Sequence, residues 1–212
     1  MEVSKREVMC YLKTGNAESN ERTSALIEEV AGEFKEHVTP KNVCRIFDCK
    51  ACPQTVTLGE MIISSRSLAK HLEGCQNAVL LAATLGSGAD MLIRRYSIQD
   101  MEKTLVAQAV STAMIESYCD NIEKDFSAGN ELKGLFSVTR YSPGYGDFDI
   151  KCQKDILKLL GASRIGLSLT DGFMLVPSKS VTAVIGYSRE QKKAASKCAV
   201  CGEKNCGYRE AV

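Results

Sequence analysis

Apolar residues recur every three or four positions in several stretches of the chain, the spacing that places them on one face of an α-helix. This pattern predicts helices over residues 4–13, 20–37, 64–72, 100–126 and 150–160. Ser19 or Asn20 is placed to cap the second of these helices, and Asp100 the fourth. Gly161 follows the last helix, as the residue after a helix often does.

Other stretches are rich in apolar and β-branched residues and predict strands over 43–48, 54–63, 79–85, 164–176 and 180–187. The 79–85 run is almost wholly apolar, which is typical of a strand buried on both faces. Gly86-Ser87-Gly88 follows it without the rest of a dinucleotide-binding fingerprint, so a strand-to-helix turn is favoured over a phosphate cradle. A further turn is expected at Pro177-Ser178.

Together these elements predict an α+β fold, with a mostly antiparallel sheet flanked by helices. The chain shows no repeats and no convincing linker, so we expect a single domain. Within it we distinguish an N-terminal helical region over residues 1–40, a main part over 41–190 and a cysteine-rich tail over 191–212.

Composition narrows the function classes. The 212 residues carry 27 basic and 26 acidic side chains, a balance that gives no reason to expect nucleic acid or an anionic membrane as a partner. The chain has no apolar run long enough for a membrane span, and its first residues lack a signal-peptide core, so we expect a cytoplasmic protein. The G-x-S-x-G and H-E-x-x-H motifs of common hydrolases are absent from the sequence.

The 100–126 helix carries one polar position of interest. Val110, Met114, Tyr118 and Ile122 form an apolar stripe, and Glu116 points away from it toward small residues. A carboxylate in that setting suits a cationic ligand group such as an amine or a sulfonium. The alternative is a solvated glutamate.

Ten cysteines in a chain expected in a reducing compartment indicate thiols or metal ligands rather than disulfides. The tail contains Cys198-x2-Cys201-x4-Cys206, in which three thiolates within nine residues suit zinc or part of an iron–sulfur cluster. The fourth ligand would have to come from elsewhere. The alternative is a disordered tail with incidental thiols.

The other cysteines give weaker signals. Cys44-x4-Cys49-x2-Cys52 resembles the start of a plant-type ferredoxin pattern, but buried or strand-edge cysteines are favoured because the rest of that pattern is missing. Buried, inert thiols are expected at the cysteines that stand singly among apolar or helical residues, which are Cys10, Cys75, Cys119 and Cys152.

The most informative segment is Arg140-Tyr-Ser-Pro-Gly-Tyr-Gly-Asp147. Pro143 restricts the backbone, whereas Gly144 allows a ligand to approach it closely. Arg140 supplies a planar fork of donors suited to a carboxylate, and Tyr145 supplies a ring suited to stacking on a base. The segment therefore predicts a loop shaped for a small ligand with an acid part and an aromatic part. An ordinary surface turn is the alternative.

Arg140 to Tyr145 resembles the R-x-x-x-G-Y signature of the activation domain of cobalamin-dependent methionine synthase. The likeness continues through Gln153–Leu160, Leu169–Met174 and Pro177-x-x-Ser180-Val181. In the first half it is looser, and its matches include Ser67-Leu68, His71-Leu72 and Ala83–Gly86. The chain looks most similar to the short, stand-alone version, which accompanies a methionine synthase lacking its own activation domain and has a similar cysteine ending.

The resemblance implies that the loop binds S-adenosylmethionine. It implies that Arg140 holds the methionyl carboxylate and that Tyr145 lines or covers the nucleoside. Ser142, Pro143 and Gly144 would supply the backbone that makes room for the ligand, and Glu116 would oppose its positive end.

It also implies a role in reactivation. In the family, oxidation of cob(I)alamin to cob(II)alamin inactivates the synthase, and a one-electron reduction coupled to methyl transfer from S-adenosylmethionine restores methylcobalamin. The implied partner carries the cobalamin, and a flavoprotein or ferredoxin is the expected electron donor. The chain departs from the long version after Val181, where a tyrosine-bearing hairpin and a terminal helix are missing, so one wall of the implied ligand site is either absent or supplied by the partner or the tail.

Two other functions remain open at this point. The chain is compatible with a metal-binding interaction module that stabilises a corrinoid protein without S-adenosylmethionine, an interpretation that the cysteine tail favours. It is also compatible with a free-standing methyltransferase acting on another acceptor.

Overall fold

The computed structural model describes residues 3–12 and 21–191 of the chain. Its helices are α1 Lys5–Leu12, α2 Glu21–His37, α3 Arg66–His71, α4 Ser87–Gln99, α5 Met101–Ala128 and α6 Cys152–Leu160. Short 3-10 helices cover Asn130–Leu132 and Ala162–Ile165. The strands are β1 Lys41–Cys52, β2 Thr55–Leu58, β3 Met61–Ser64, β4 Asn77–Thr84, β5 Phe136–Ser137, β6 Ser168–Leu169, β7 Leu175–Val176 and β8 Ser180–Ser188.

Six strands form one sheet in the order β3-β2-β1-β4-β8-β5, and every pair in it is antiparallel. β4 lies between β1 and β8, and seven of its eight residues are buried. Because β4 has a strand on each edge and a packed layer on each face, its side chains are apolar almost without interruption, as the sequence shows. The predicted antiparallel α+β fold is confirmed.

The two faces of the sheet carry different layers. One core cluster joins the odd-numbered residues of β4 and β8 to α1, α2, α4 and α5. The other joins the even-numbered residues of the same strands to α3 and α6. This separation follows from the period of two along a strand, which sends successive side chains to opposite faces.

All five helices predicted with a residue range are present, and their capping residues explain several ends. The Asp100 carboxylate accepts a hydrogen bond from the Lys103 backbone N–H at 3.1 Å, so it caps α5 as predicted. Gly161 ends α6 in the left-handed conformation, with φ of 61°. The strand-to-helix turn at Gly86-Ser87-Gly88 is also confirmed, since α4 begins at Ser87. The predicted cap at Ser19 or Asn20 lies outside the described residues.

Three local predictions were wrong. Residues 164–176 do not form one strand, because the chain turns at Gly166 and again between β6 and β7, where Phe173 has a φ of 61°. The helix predicted over residues 150–160 begins at Cys152 instead, and Ile150 is exposed in the turn before it. The α5 stripe is wider than predicted, since Ala109 and Ala113 beside Glu116 are also buried.

Candidate functional site at the edge of the sheet

The outer edge of β8 is only partly covered. β5 pairs with β8 at Tyr187 and Ser188, and Tyr141 forms an isolated bridge with Val184. Tyr141 and Val184 exchange two backbone hydrogen bonds of 2.9 Å, so even-numbered residues of β8 direct their backbone groups outward. No described strand pairs with the outer edge of β8 beyond that bridge, so the backbone edge next to the 140–147 loop is unpaired there, although its Thr182 side chain is buried and hydrogen-bonds Gln153 of α6.

The loop that follows this bridge is tightly closed by its own backbone. Gly144 N–H donates to Phe148 O at 2.7 Å, and Tyr145 N–H donates to Ser142 O at 3.1 Å. Gly144 has a φ of 97°, a conformation that a residue with a side chain rarely adopts. The turn buries Pro143 and leaves Gly144 and Tyr145 exposed, with 57% of Tyr145 open to solvent.

Arg140 points from the start of this loop to α5. Its guanidinium Nη1 donates to Glu123 Oε1 at 2.9 Å, and Nη2 lies 2.8 Å from Glu116 Oε2 and 2.7 Å from Asp120 Oδ1. The three carboxylates follow a spacing of four and then three residues, which places them on one face of the helix. Only 11% of the Arg140 side chain is exposed.

The carboxylates around Arg140 and the burial of the cluster change the pKa values of its members. Burial lowers the pKa of Arg140, but the charges of Glu123, Glu116 and Asp120 outweigh burial and leave that pKa above its ordinary value. Burial raises the pKa of the neighbouring Cys119 thiol to about 12, so this cysteine stays protonated.

The N-terminal helix reaches the same cluster. Tyr11, on α1, is 44% exposed, and the burial of the rest of it together with the charges of Glu116, Glu7 and Asp120 raises its pKa to about 12.

The opposite side of the loop is aromatic. The ring of Tyr141 lies 4.8 Å from the ring of His71, 5.7 Å from that of Tyr145 and 6.4 Å from that of Phe148. His71 Nε2 lies within hydrogen-bond distance of Thr139 O, at 2.7 Å. Arg140 and Tyr141 thus face opposite sides of the sheet, and the exposed Tyr145 ring stands at the edge of the aromatic group.

Asp147 ties the end of the loop to the beginning of α3. Its carboxylate accepts from Ser65 Oγ at 2.6 Å, from Arg66 N–H at 2.9 Å and from Ser67 N–H at 3.0 Å. Ser67 Oγ donates to the same carboxylate. These hydrogen bonds hold the pKa of Asp147 well below its usual range, the Ser65 bond contributing most.

The structure therefore brings Arg140 and Glu116 together and places Ser142, Pro143, Gly144 and Tyr145 in the adjoining turn. Glu116 contacts Arg140 itself, a pairing that the sequence did not indicate. Asp120 and Glu123 were missed, although their spacing from Glu116 along a predicted helix was a signal that could have identified them. The predicted metal ligands Cys198, Cys201 and Cys206 lie outside the described residues.

The three cysteines of the ferredoxin-like spacing are kept apart by the strand that carries them. Cys44, Cys49 and Cys52 all lie on the unbroken β1, and separations of five and three residues send neighbouring members to opposite faces. Cys44 packs against the α5 side and Cys49 belongs to the α3 side, whereas Cys52 is exposed. Burial raises the pKa of the Cys44 thiol to about 12. The buried thiols predicted at Cys75 and Cys119 are confirmed, whereas Cys10 and Cys152 are half-buried.

Comparisons with known proteins agree on one relationship. The sequence profile of the family described as "Vitamin B12 dependent methionine synthase, activation domain" matches residues 64–203. A solved structure described as "Crystal Structure of the MetH Reactivation Domain bound to AdoHcy" is similar in fold, with a TM-score of 0.63 at 12% sequence identity. The similarity covers 91% of this chain and 72% of that one. Comparison with curated proteins gave no significant match.

In the part of the chain that the structure describes, no helix combines the length and the apolar character required to cross a membrane.

Proposed function

Because the chain belongs to the family of vitamin B12-dependent methionine synthase activation domains, we propose that it binds S-adenosylmethionine and supports the reductive reactivation of a cobalamin-dependent methionine synthase. The observation that carries this proposal is the R-x-x-x-G-Y loop beside the unpaired edge of β8, where Arg140 and Tyr145 lie on the two sides of one turn. The family match includes this loop and the strand beside it.

The residues present fit such a ligand. Arg140 already binds carboxylate oxygens at 2.7 to 2.9 Å, which is the chemistry that the methionyl carboxylate needs. A Cβ added at Gly144 would have only the Ile150 side-chain tip nearby, at 3.2 Å, so the backbone there is open to a ligand. Tyr145 presents an exposed ring for the nucleoside.

In this proposal each group has a positioning task. Bound S-adenosylmethionine supplies the methyl group. Arg140 orients the ligand through its carboxylate, Tyr145 covers the nucleoside, and Glu116 opposes the positive charge of the amine and sulfonium. The chain itself then contributes orientation rather than bond-making, because the reacting cobalt belongs to the partner.

The partner, in this proposal, is a cobalamin-dependent methionine synthase that lacks its own activation domain. Its electron donor, a flavoprotein or a ferredoxin, and a zinc or iron–sulfur centre at Cys198, Cys201 and Cys206 stay predictions from the sequence.

Isothermal titration of the anaerobic protein with S-adenosylmethionine, alone and with its methionine synthase in the cob(II)alamin state, tests the proposal. We expect binding in at least one setting. Arg140→Gln should lower the affinity about tenfold to a hundredfold, because it removes charge-assisted hydrogen bonds to the carboxylate.

Tyr145→Ala provides a second variant, since Tyr145 is exposed and its loss leaves the Arg140 ion pairs intact. It should weaken binding without lowering the melting temperature appreciably. If the wild-type protein binds no S-adenosylmethionine in either setting, the proposal fails, and a metal-binding module that stabilises a corrinoid protein becomes the better account.

A further inference from the structure

The Nη2 group of Arg140 is fully engaged by carboxylates of its own chain. Nη1 donates to Glu123, and Nη2 has Glu116 and Asp120 as partners at 2.8 and 2.7 Å. An arginine Nη group carries two N–H donors, so both donors of Nη2 are used by these two carboxylates. A ligand carboxylate can gain a paired contact with Nη1 and Nη2 only if one of the three side chains withdraws.

The three carboxylates differ in how readily each can withdraw. The exposed fraction of the side chain is 44% for Asp120, 30% for Glu116 and 21% for Glu123. An exposed carboxylate recovers its hydration when it leaves the arginine, whereas a more buried one stays partly desolvated and unpaired. Asp120 is therefore the carboxylate whose departure costs least.

Space beside Asp120 favours the same exchange. Asp120 and Glu123 border an open cavity of about 470 Å³ between the C-terminal half of α5 and β5, which Lys124, Ser127 and Ser137 also line. This cavity gives the withdrawn Asp120 side chain room to turn into solvent.

We propose that Asp120 acts as an internal competitor of the ligand, occupying the Arg140 donors that the carboxylate of S-adenosylmethionine takes when it binds. This inference rests on the proposed function, because it concerns the same site. Asp120 thereby sets the affinity of the site for ligands that carry a carboxylate and keeps Arg140 in place while the site is empty.

If Asp120 acted on the ligand only through long-range attraction, removing its charge would change the binding affinity in the opposite direction. S-adenosylmethionine carries a net positive charge, so an acidic residue that acted only through long-range attraction would strengthen binding. Removing its charge would then weaken binding. For an internal competitor, removing the charge strengthens binding, because the ligand carboxylate displaces a neutral amide instead of an ion-pair partner. The direction of the change separates the two roles.

The experiment is isothermal titration of wild type, Asp120→Asn and Asp125→Asn with S-adenosylmethionine, alone and with the partner synthase. Asp125 is exposed on the same helix and forms none of the Arg140 ion pairs, so Asp125→Asn controls for the loss of one negative charge. We expect Asp120→Asn to bind about two- to fivefold more tightly, and Asp125→Asn to bind like wild type. Thermal unfolding of each variant verifies that the fold is retained.

Decarboxylated S-adenosylmethionine is the second probe, since it has no carboxylate to compete with Asp120. Its affinity should not rise in Asp120→Asn. Unchanged or weaker binding of S-adenosylmethionine by Asp120→Asn, where wild type binds, would reject the competitor role and leave the proposed function standing. Absence of binding by wild type and by every variant, with and without the partner, would reject both.

Discussion

At Gly146 the 140–147 loop passes so close to α3 that there is no room for a side chain. A Cβ at this position would lie 2.6 Å from Ser67 Oγ, 2.8 Å from the Tyr141 hydroxyl and 2.9 Å from Ser67 Cβ. The residue also has a φ of 54°, in the left-handed region that favours glycine. Ser67 cannot move away freely because it donates to Asp147. The second glycine of the loop is therefore a requirement of packing against α3.

We expect Gly146→Ala to lower the free energy of unfolding by about 2–5 kcal/mol, as the sum of an unfavourable φ and an overpacked contact. Gly134→Ala is the matched control, because Gly134 has a φ of 82° but no atom within 4 Å of a Cβ. That variant should lose only about 1–2 kcal/mol. Chemical denaturation of both variants measures the difference, and equal losses would contradict the packing argument.

For Arg140, the sequence predicted the residue but not its ion-pair partners. The sequence identified the arginine and Glu116 as candidate site residues, but as two separate contacts to a ligand. Their mutual ion pair depends on α5 crossing the sheet face to which Arg140 points, and no local pattern specifies that crossing. The spacing of Glu116, Asp120 and Glu123 shows a shared helix face, but not the charge that the face meets.

Among the elements, α3 depends most on a residue distant in sequence. It has only six residues, too few for a stable isolated helix, and its N-terminus is satisfied by Ser65 Oγ and by Asp147 from the loop. The loop and the helix thus stabilise one another, and the same contact positions Tyr141 and Tyr145 at the sheet edge.

This contact predicts a dependence of stability on pH. Since the pKa of Asp147 is lower in the folded than in the unfolded state, ionised Asp147 stabilises the fold above its unfolded pKa of about 4, and this contribution is lost as pH falls below that value. Asp147→Asn should melt at a lower temperature than wild type near neutral pH. The gap should narrow as the pH is lowered from about 5 to about 2.

Melting curves of both proteins across that range measure the gap. Asp171→Asn is a suitable control, because Asp171 is exposed and lies in the turn between β6 and β7, far along the chain from α3. A gap that is independent of pH would contradict the role given to the Asp147 carboxylate.

Some ends of helices and strands are set by nearby residues, whereas others depend on contacts with residues distant in the sequence. The helix from Met101 was predicted because its N-cap and its apolar spacing are local signals. The 164–176 segment was misassigned because its apolar content was interpreted as one strand, while the reversals at Gly166 and Phe173 depend on how the hairpin packs beside α6. Gln153 on α6 donates to Phe173 O at 2.9 Å and so fixes the second reversal.

For the whole molecule, the N-terminal helices belong to the main core. Val8 on α1 and Phe34 on α2 are fully buried in the cluster that contains Val110 and Met114 of α5. The boundary predicted at residue 40 stays a prediction, but this shared core indicates that the segments on its two sides unfold together.

We expect Phe34→Ala to destabilise the entire protein by about 3–5 kcal/mol and to shift one common unfolding transition. Phe136→Ala, at a position where 44% of the side chain is exposed, should cost far less. Unfolding followed both by circular dichroism and by the fluorescence of the chain's tyrosines would test this. Two separate transitions, with only the first displaced, would show that the N-terminal helices are an independent unit.

The sequence by itself determined five of the helical segments, the N-cap of α5 and the end of α6, the buried strand that forms β4, and the loop that resembles a known family of activation domains. These features depend on apolar periodicity, helix capping and short motifs, all of which involve residues that are close together in the sequence. Only the tertiary structure decided that Arg140 meets three carboxylates of α5, that Asp147 holds α3, and that Cys44, Cys49 and Cys52 diverge along one strand. The physical reason is that ion pairs and shared faces depend on how distant elements pack, and packing is a property of the whole chain.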